Sequence, residues 1–509
     1  MASATSLEVD GSVARLPDDV LCELFRLIYD ALQHENAFYP DFVRLLHVCR
    51  RWRLIALSMP TLWREVHTNG HPDRLLFFLT HSADLPKDIH IETALFPAQG
   101  LSLLTPFLPI IRLLDLSFDL MSSDEFTTLW ESPLISLFSN DFPGLESLIL
   151  SVAGDERSEE YKRDLHLRAC RMPRLQSLDV TCLVVPSDLC GLRHFRADTC
   201  MWAMGPPELI TLLHRCPDMG TVELSYVQWW PDEQAETTPI GSRAYMPRLE
   251  RLTLLGPIYD VSDVMRHIDA PGVQNVVLKP DLEGEVFEYS DIRYLLSPTS
   301  PNHRILPQLS SPARATLNDS LGQYELVCAN ARQSIELQLS SHDIKAIPGP
   351  TFPSLLRDLM CFTAHSSRFI TELNLVSGFV EHVPRAAWSD VFRAFDHLEK
   401  LYFVVAQEGS LLDMWAGMED ATSARPAHEV CCPNLSYIRA YWVLRLSLVD
   451  RGEPELAAMK LALRMRAERG APLDELFLVA WFDEDGLTDR ATKELSPYVT
   501  NAHATTYPF

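Results

Sequence analysis

Leu145-Glu146-Ser147-Leu148-Ile149-Leu150 follows the turn-forming pair Phe142-Pro143 and alternates apolar residues with others. Alternation of that kind after a turn marks a short strand with one buried face. The pattern recurs on both sides. Ile111 to Leu116 precedes it, and Leu175 to Val180, the degenerate Leu192 to Ala197, Met219 to Leu224, Leu249 to Leu254 and Val273 to Leu278 follow. A later series comprises the weak Leu337-Gln338-Leu339, then Ile370 to Leu375, Leu398 to Phe403, Leu435 to Ala440 and Leu473 to Leu478. Met172-Pro173, Met246-Pro247 and Cys431-Cys432-Pro433 repeat the proline lead-in.

Helix-like runs lie between the strands, at 124–138, 159–170, 207–216, 261–268, 386–395 and 453–469. Strand, turn and helix repeated at an irregular spacing of a few tens of residues indicate an irregular leucine-rich-repeat-like α/β solenoid. No unit of that kind can bury its own apolar face, so neighbours must stack. The two leucines of each L-x-L pair then face the core, and the residue between them faces the other way. Those outward positions are Asp115, Ile149, Asp179, Arg196, Glu223, Thr253, Val277, Gln338, Asn374, Tyr402, Arg439 and Phe477. The column is polar and aromatic, with no nucleophile–base–acid set, and reads as a recognition surface. Aromatic residues just past the strands extend it. Tyr226, Trp229, Tyr402, Arg439, Trp442 and Trp481 are the candidate contacts for a protein target, with capping of the array as the competing role for the aromatic ones.

The chain has 509 residues, 47% hydrophobic and 22% charged, an ordinary globular balance. Its formal net charge of −25 argues against binding duplex nucleic acid or an anionic membrane surface. The 11 cysteines are scattered and form no CxxC pair, so no zinc knuckle and no bound metal or other cofactor is expected. Residues 1–13 are small and polar, without a signal-peptide core, and are expected to be a disordered N-terminus. An intracellular location, cytoplasmic or nuclear, follows as an expectation. Phosphate-cradling loops, H-E-x-x-H and G-x-S-x-G are missing from the sequence, and a non-catalytic role is expected.

The first 66 residues differ from the rest. Arg15-Leu16-Pro17-Asp18-Asp19 reads as a helix start, with proline in the first turn and carboxylates at the positive end of the dipole. An apolar stripe follows at Val20, Leu21, Leu24, Phe25, Ile28 and Leu32, and a second helical run carries Phe42, Leu45, Leu46, Val48, Cys49, Trp52, Ile55 and Ala56. So many large apolar groups in so small a unit make a marginal core. They either pack on the domain behind or meet a partner.

Leu16-Pro17-Asp18-Asp19-Val20-Leu21-Cys22-Glu23-Leu24-Phe25, then Val48-Cys49-Arg50-Arg51-Trp52-Arg53-Leu54-Ile55-Ala56, then Pro60-Thr61-Leu62-Trp63, resembles an F-box of the kind common in mushroom-forming fungi. The stretch between the two helical runs, His34 to Pro40, is longer than the family pattern. The resemblance implies a helical module at 14–66 that docks on the Skp adaptor of an SCF-type cullin-RING ubiquitin ligase. It assigns adaptor contact to Leu16, Pro17, Leu21, Leu24, Phe25, Val48 and Trp52, of which Phe25 and Trp52 are equally suited to fill the module's own core. The implied role is a substrate-receptor subunit, with an interaction scaffold outside any ligase as the alternative. The stretch 14–66 holds seven basic and seven acidic residues, so the net negative charge lies elsewhere.

The expected organisation is therefore the F-box at 14–66, a first half of the array at 67–278, a proline- and serine-containing insert or long loop at 279–333, and a second half with its cap at 334–509.

Overall fold

In the computed structural model the described residues are 16–32, 44–68, 72–92, 98–118, 131–152, 167–181, 188–198, 206–225, 243–281, 314–320, 323–329, 334–340, 356–357, 359–360, 370–377, 383–405, 410–442, 452–480 and 486–506. They form a mixed helix-and-strand protein with an N-terminal pair of helices. The chain divides into two compact units, Met1–Met204 and Gly205–Phe509. The proline-rich stretch expected to part the two halves lies inside the second unit. The expected disordered N-terminus, 1–13, lies outside the described residues.

The first unit opens with α1 (Asp18–Leu32) and α2 (Arg50–Leu57), followed by a 3₁₀ turn at Pro60–Trp63. Its strands are β1 (Glu65–Thr68), β2 (Lys87–Glu92), β3 (Ile111–Phe118), β4 (Ser147–Val152), β5 (Ser177–Thr181) and β6 (His194–Asp198). They pair in chain order and always in parallel. Parallel neighbours need a crossover. Helix α3 (Pro72–His81), the 3₁₀ stretch Ala98–Ile110 and α4 (Glu131–Phe138) supply the first three. Leu114 and Leu116, Leu148 and Leu150, Leu178 and Val180, and Phe195 and Ala197 are all buried, so each L-x-L pair faces the core. The turns before the strands are linked as well. Glu146 N–H donates to Arg112 O at 2.8 Å, Gln176 N–H to Glu146 O at 2.8 Å and Arg193 N–H to Gln176 O at 2.7 Å. Gly144 sits in one of these turns, where a Cβ would lie 2.6 Å from Pro109 O.

The second unit begins with α5 (Pro206–Arg215), β7 (Thr221–Ser225), the short β8 (Ala244–Tyr245), β9 (Arg251–Pro257), α6 (Ile258–His267), the short β10 (Ile268–Asp269) and β11 (Asn275–Asp281). Strands β7, β9 and β11 are parallel. Three further strands, β12 (Arg314–Ser320), β13 (Gln323–Ala329) and β14 (Ser334–Ser340), form an antiparallel meander. Its outer members pair in parallel with β11 and with β15 (Glu372–Ser377). The remaining elements are α7 (Arg385–Ala394), β16 (Lys400–Val405), α8 (Ser410–Ser423), β17 (Tyr437–Trp442), α9 (Gly452–Glu468), β18 (Leu473–Ala480), α10 (Leu487–Leu495) and β19 (Val499–Thr506). From β15 to β19 the pairing is again parallel in chain order.

The meander occupies part of the stretch 279–333 expected as an insert or long loop. Residues 282–313 lie outside the described residues, but 314–320 and 323–329 are strand. No proline occurs between Arg314 and Ser340, and Ala315, Leu317, Leu326 and Cys328 alternate into the core. The L-x-x-L-x-L pattern does not extend here because each strand pairs a single leucine with a small residue or a thiol, Leu317 with Ala315 and Leu326 with Cys328.

Candidate functional site

The N-terminal helices are joined by polar contacts at their ends and by aromatic packing between them. Helix α1 starts at Asp18 after Pro17, with Leu21 N–H donating to Pro17 O at 3.1 Å. The Arg51 guanidinium of α2 reaches back, its Nε donating to Asp18 Oδ1 at 3.0 Å and its Nη2 to Leu16 O at 2.5 Å. Helix α2 begins later than the second helical run predicts. Residues 44–46 make one helical turn, 47–48 break it, and Cys49 caps α2 in extended conformation with its thiol accepting from Trp52 N–H at 3.4 Å. Val48 therefore sits in the break and not on the Trp52 helix. The 3₁₀ turn closes the module. Trp63 is fully buried, donates Nε1–H to Ala56 O at 2.9 Å, and lies edge-on to Phe77 and Phe78 of α3 at 5.5 and 5.3 Å.

The residues assigned to adaptor contact fall into two groups. Leu21, Phe25 and Trp52 are buried inside the module, which for Phe25 and Trp52 is the core-filling role the sequence allowed. The physical reason is helical phase. Leu21 and Phe25 are four residues apart on the face of α1 that meets α2, where Phe25 packs on Trp52. Pro17 is exposed and Leu16 and Leu24 are half-buried. Val48 is 43% exposed. Three exposed apolar residues had not been singled out as contacts: Val20 at 44%, Leu27 at 59% and Leu54 at 59%. Pro17, Val20, Leu24 and Leu27 recur at three- and four-residue spacing, so α1 carries a second apolar stripe beside the buried one. The signal was present in the sequence as an apolar arc too wide for one neighbour.

The strand register lines up the outward column. His67, His90, Asp115, Ile149, Asp179 and Arg196 are successive neighbours across β1 to β6. In the second unit Glu223, Thr253 and Val277 adjoin, but the next neighbour is Glu336 and not the expected Gln338. The weak Leu337-Gln338-Leu339 copy was read one pleat too late. Asn374, Tyr402, Arg439 and Phe477 adjoin as expected, and His503 of β19 continues the row. Ring centroids run Tyr402 to Tyr437 at 5.2 Å, Tyr437 to Phe477 at 5.7 Å and Phe477 to His503 at 4.8 Å. Arg439 donates from Nη2 to Tyr441 Oη at 2.9 Å and is exposed. Partial burial, with Tyr402 beside it, pushes the Tyr437 hydroxyl above its ordinary pKa. Of the other candidate contacts, Tyr226, Trp229 and Trp481 lie outside the described residues, and Trp442 ends β17.

Residues 13–69 match the family model described as F-box-like. No curated protein matches the chain. The N-terminal segment is thus an F-box-like domain, which supports reading the chain as an F-box protein. Domains of this class generally bind a Skp adaptor and serve protein–protein interaction. Among the described residues, no helix is long and apolar enough to cross a membrane.

Proposed function

We propose that this protein is the substrate-receptor subunit of an SCF-type cullin-RING ubiquitin ligase and performs no bond chemistry itself. The F-box-like domain docks on the Skp adaptor, and through it on cullin. The strand array behind it, an irregular leucine-rich-repeat-like solenoid in this reading, holds a protein target within the cell. The function is proximity, since target and charged conjugating enzyme on one scaffold react at raised effective concentration.

One observation carries the reading. Helix α1 is apolar on two sides, one sealed by Phe25 and Trp52 and the other exposed at Val20 and Leu27. A helix with a second greasy stripe facing water is suited to a helix-binding groove. On the target side, the Tyr402–Tyr437–Phe477–His503 row with Arg439 supplies the aromatic and guanidinium groups typical of interface anchors.

The test is co-expression of the full chain with a Skp adaptor. Val20→Glu with Leu27→Glu should abolish co-purification while leaving the circular dichroism spectrum unchanged. Retained co-purification defeats the docking surface. Adaptor binding without recruitment of cullin corresponds to the scaffold alternative.

A further inference from the structure

We propose that the first unit binds one divalent ion of the zinc class through Glu65, His67 and His90. The site stands apart from adaptor docking and from the expectation of no metal, which rested on the missing CxxC pairs.

Strand pairing builds it. The parallel register of β1 and β2 sets His67 beside His90 and Glu65 beside Asp88. Residues two apart on a strand share a face, so Glu65 and His67 point the same way. The imidazole rings are stacked, 4.4 Å between centroids and 5° between planes. Ligating atoms of Glu65, His67 and His90 all lie within 4.8 Å of one another. A tetrahedral ion with bonds near 2.0–2.2 Å needs edges of about 3.3 Å. All three residues are only partly buried, and for both imidazole lone pairs to meet one ion the stacked rings must rotate out of parallel.

The surroundings fit metal-bound histidine. His67 Nε2 is 2.8 Å from Glu65 Oε1, where an ion can replace the shared proton. His90 Nδ1 is 3.0 Å from Asp115 Oδ2, which leaves Nε2 as the nitrogen that would ligate an ion. A carboxylate on the far nitrogen is the usual orienting partner of such a histidine. Ser117 Oγ donates to Asp115 Oδ1 at 3.2 Å, and Tyr29 Oη donates to Glu65 Oε2 at 3.3 Å. The ion would thereby be linked to helix α1. The nearby Asp88 is matched to Arg64 at 3.6 Å and to Arg112 Nε at 2.8 Å. Two imidazole nitrogens and one carboxylate suit zinc, whereas magnesium and calcium prefer oxygen sets.

The experiment titrates Zn²⁺ into chelator-stripped full-length protein at neutral pH, in competition with a chromophoric chelator and without adaptor. Stoichiometric binding is expected. His67→Gln with His90→Gln should weaken it by about 100-fold or more, and Asp115→Asn by about 10–100-fold. His428→Gln, outside the cluster, should leave it unchanged. Co²⁺ loading should give the visible absorption of a tetrahedral ion, lost in the paired glutamine variant. Circular dichroism checks that the variants fold. Failure of the wild type to bind zinc stoichiometrically, or equal binding by the paired variant, overturns the proposal. Neither result bears on adaptor docking.

Discussion

Phe25 of the first helix stands edge-on to Trp52 of the second, with ring centroids 5.3 Å apart and planes at 84°. An edge-to-face pair at this distance gains quadrupole attraction beyond its buried area. It is also the contact that turns the rest of α1 outward. Phe25→Ala and Trp52→Ala are each expected to cost about 3–5 kcal/mol, and the double variant less than their sum because the two residues touch. Urea denaturation of the full chain measures this. Leu27→Ser on the exposed stripe should change stability by only about 0.5 kcal/mol. Equal losses at Phe25 and Leu27 would contradict the two-sided helix.

Lys87 is fully buried, its ammonium donating to Ser82 Oγ at 2.5 Å and Ala83 O at 2.6 Å. Burial presses its pKa from 10.5 down to about 8. The sign follows from proton counting. Below pH 8 the group is charged in both states, and the folded state carries the whole cost of burying it. Between about pH 8 and 10.5 the folded protein sheds the proton first, so this group adds stability as pH rises, on the order of 3 kcal/mol in all. Denaturant midpoints across that window should rise more steeply for wild type than for Lys87→Met. Parallel curves would show that the amine is not held neutral.

Arg466, on α9, is fully buried and donates to three backbone carbonyls ahead of β17. Its Nη1 reaches Cys431 O at 2.7 Å, and its Nη2 reaches Cys432 O at 3.1 Å and Leu435 O at 3.2 Å. It holds a turn in which Cys432 adopts a left-handed φ of 45°. Arg466→Met removes a donor from all three carbonyls, Cys432 O keeping the Leu435 N–H at 3.0 Å, at about 1–3 kcal/mol for each group left unsatisfied. Thermal unfolding should show a large loss, and Arg466→Lys only partial rescue, because a point ammonium cannot reproduce the planar fork. Exposed Arg439→Met is the control and should leave the midpoint in place.

Gly417 lies where α8 crosses α7. A Cβ there would be 2.5 Å from Trp388 Cβ and 2.8 Å from Arg385 O. Gly417→Ala gains about 1 kcal/mol of helix propensity, but the overlap is with atoms close to the main chain and costs about 1–3 kcal/mol or more. Net destabilisation by differential scanning calorimetry is the expected result. A stabilised variant would mean that the helices part easily.

Much of the architecture was legible from short-range pattern alone. The L-x-L part of each copy lies on a strand, because alternation two residues at a time has one folded solution when one face must be dry. Strands β1, β2, β12, β13 and β19 escaped, since Val66, Ile89 and Ala502 alternate without leucines and β12 and β13 hold one leucine each, Leu317 beside Ala315 and Leu326 beside Cys328. The F-box match was legible for the same local reason, in three motif pieces read in order.

Local pattern determined that α1 is an apolar helix and that histidines stand at positions 67 and 90. Only tertiary structure decided which stripe of α1 is sealed, because that depends on where Trp52 arrives after the break at residues 47–48. Likewise, only the parallel register between β1 and β2 placed His67 against His90, 23 residues on in the chain and adjacent in space. Periodicity records the face a residue takes on its own element, whereas the neighbour across that face is chosen by long-range pairing that no local window contains.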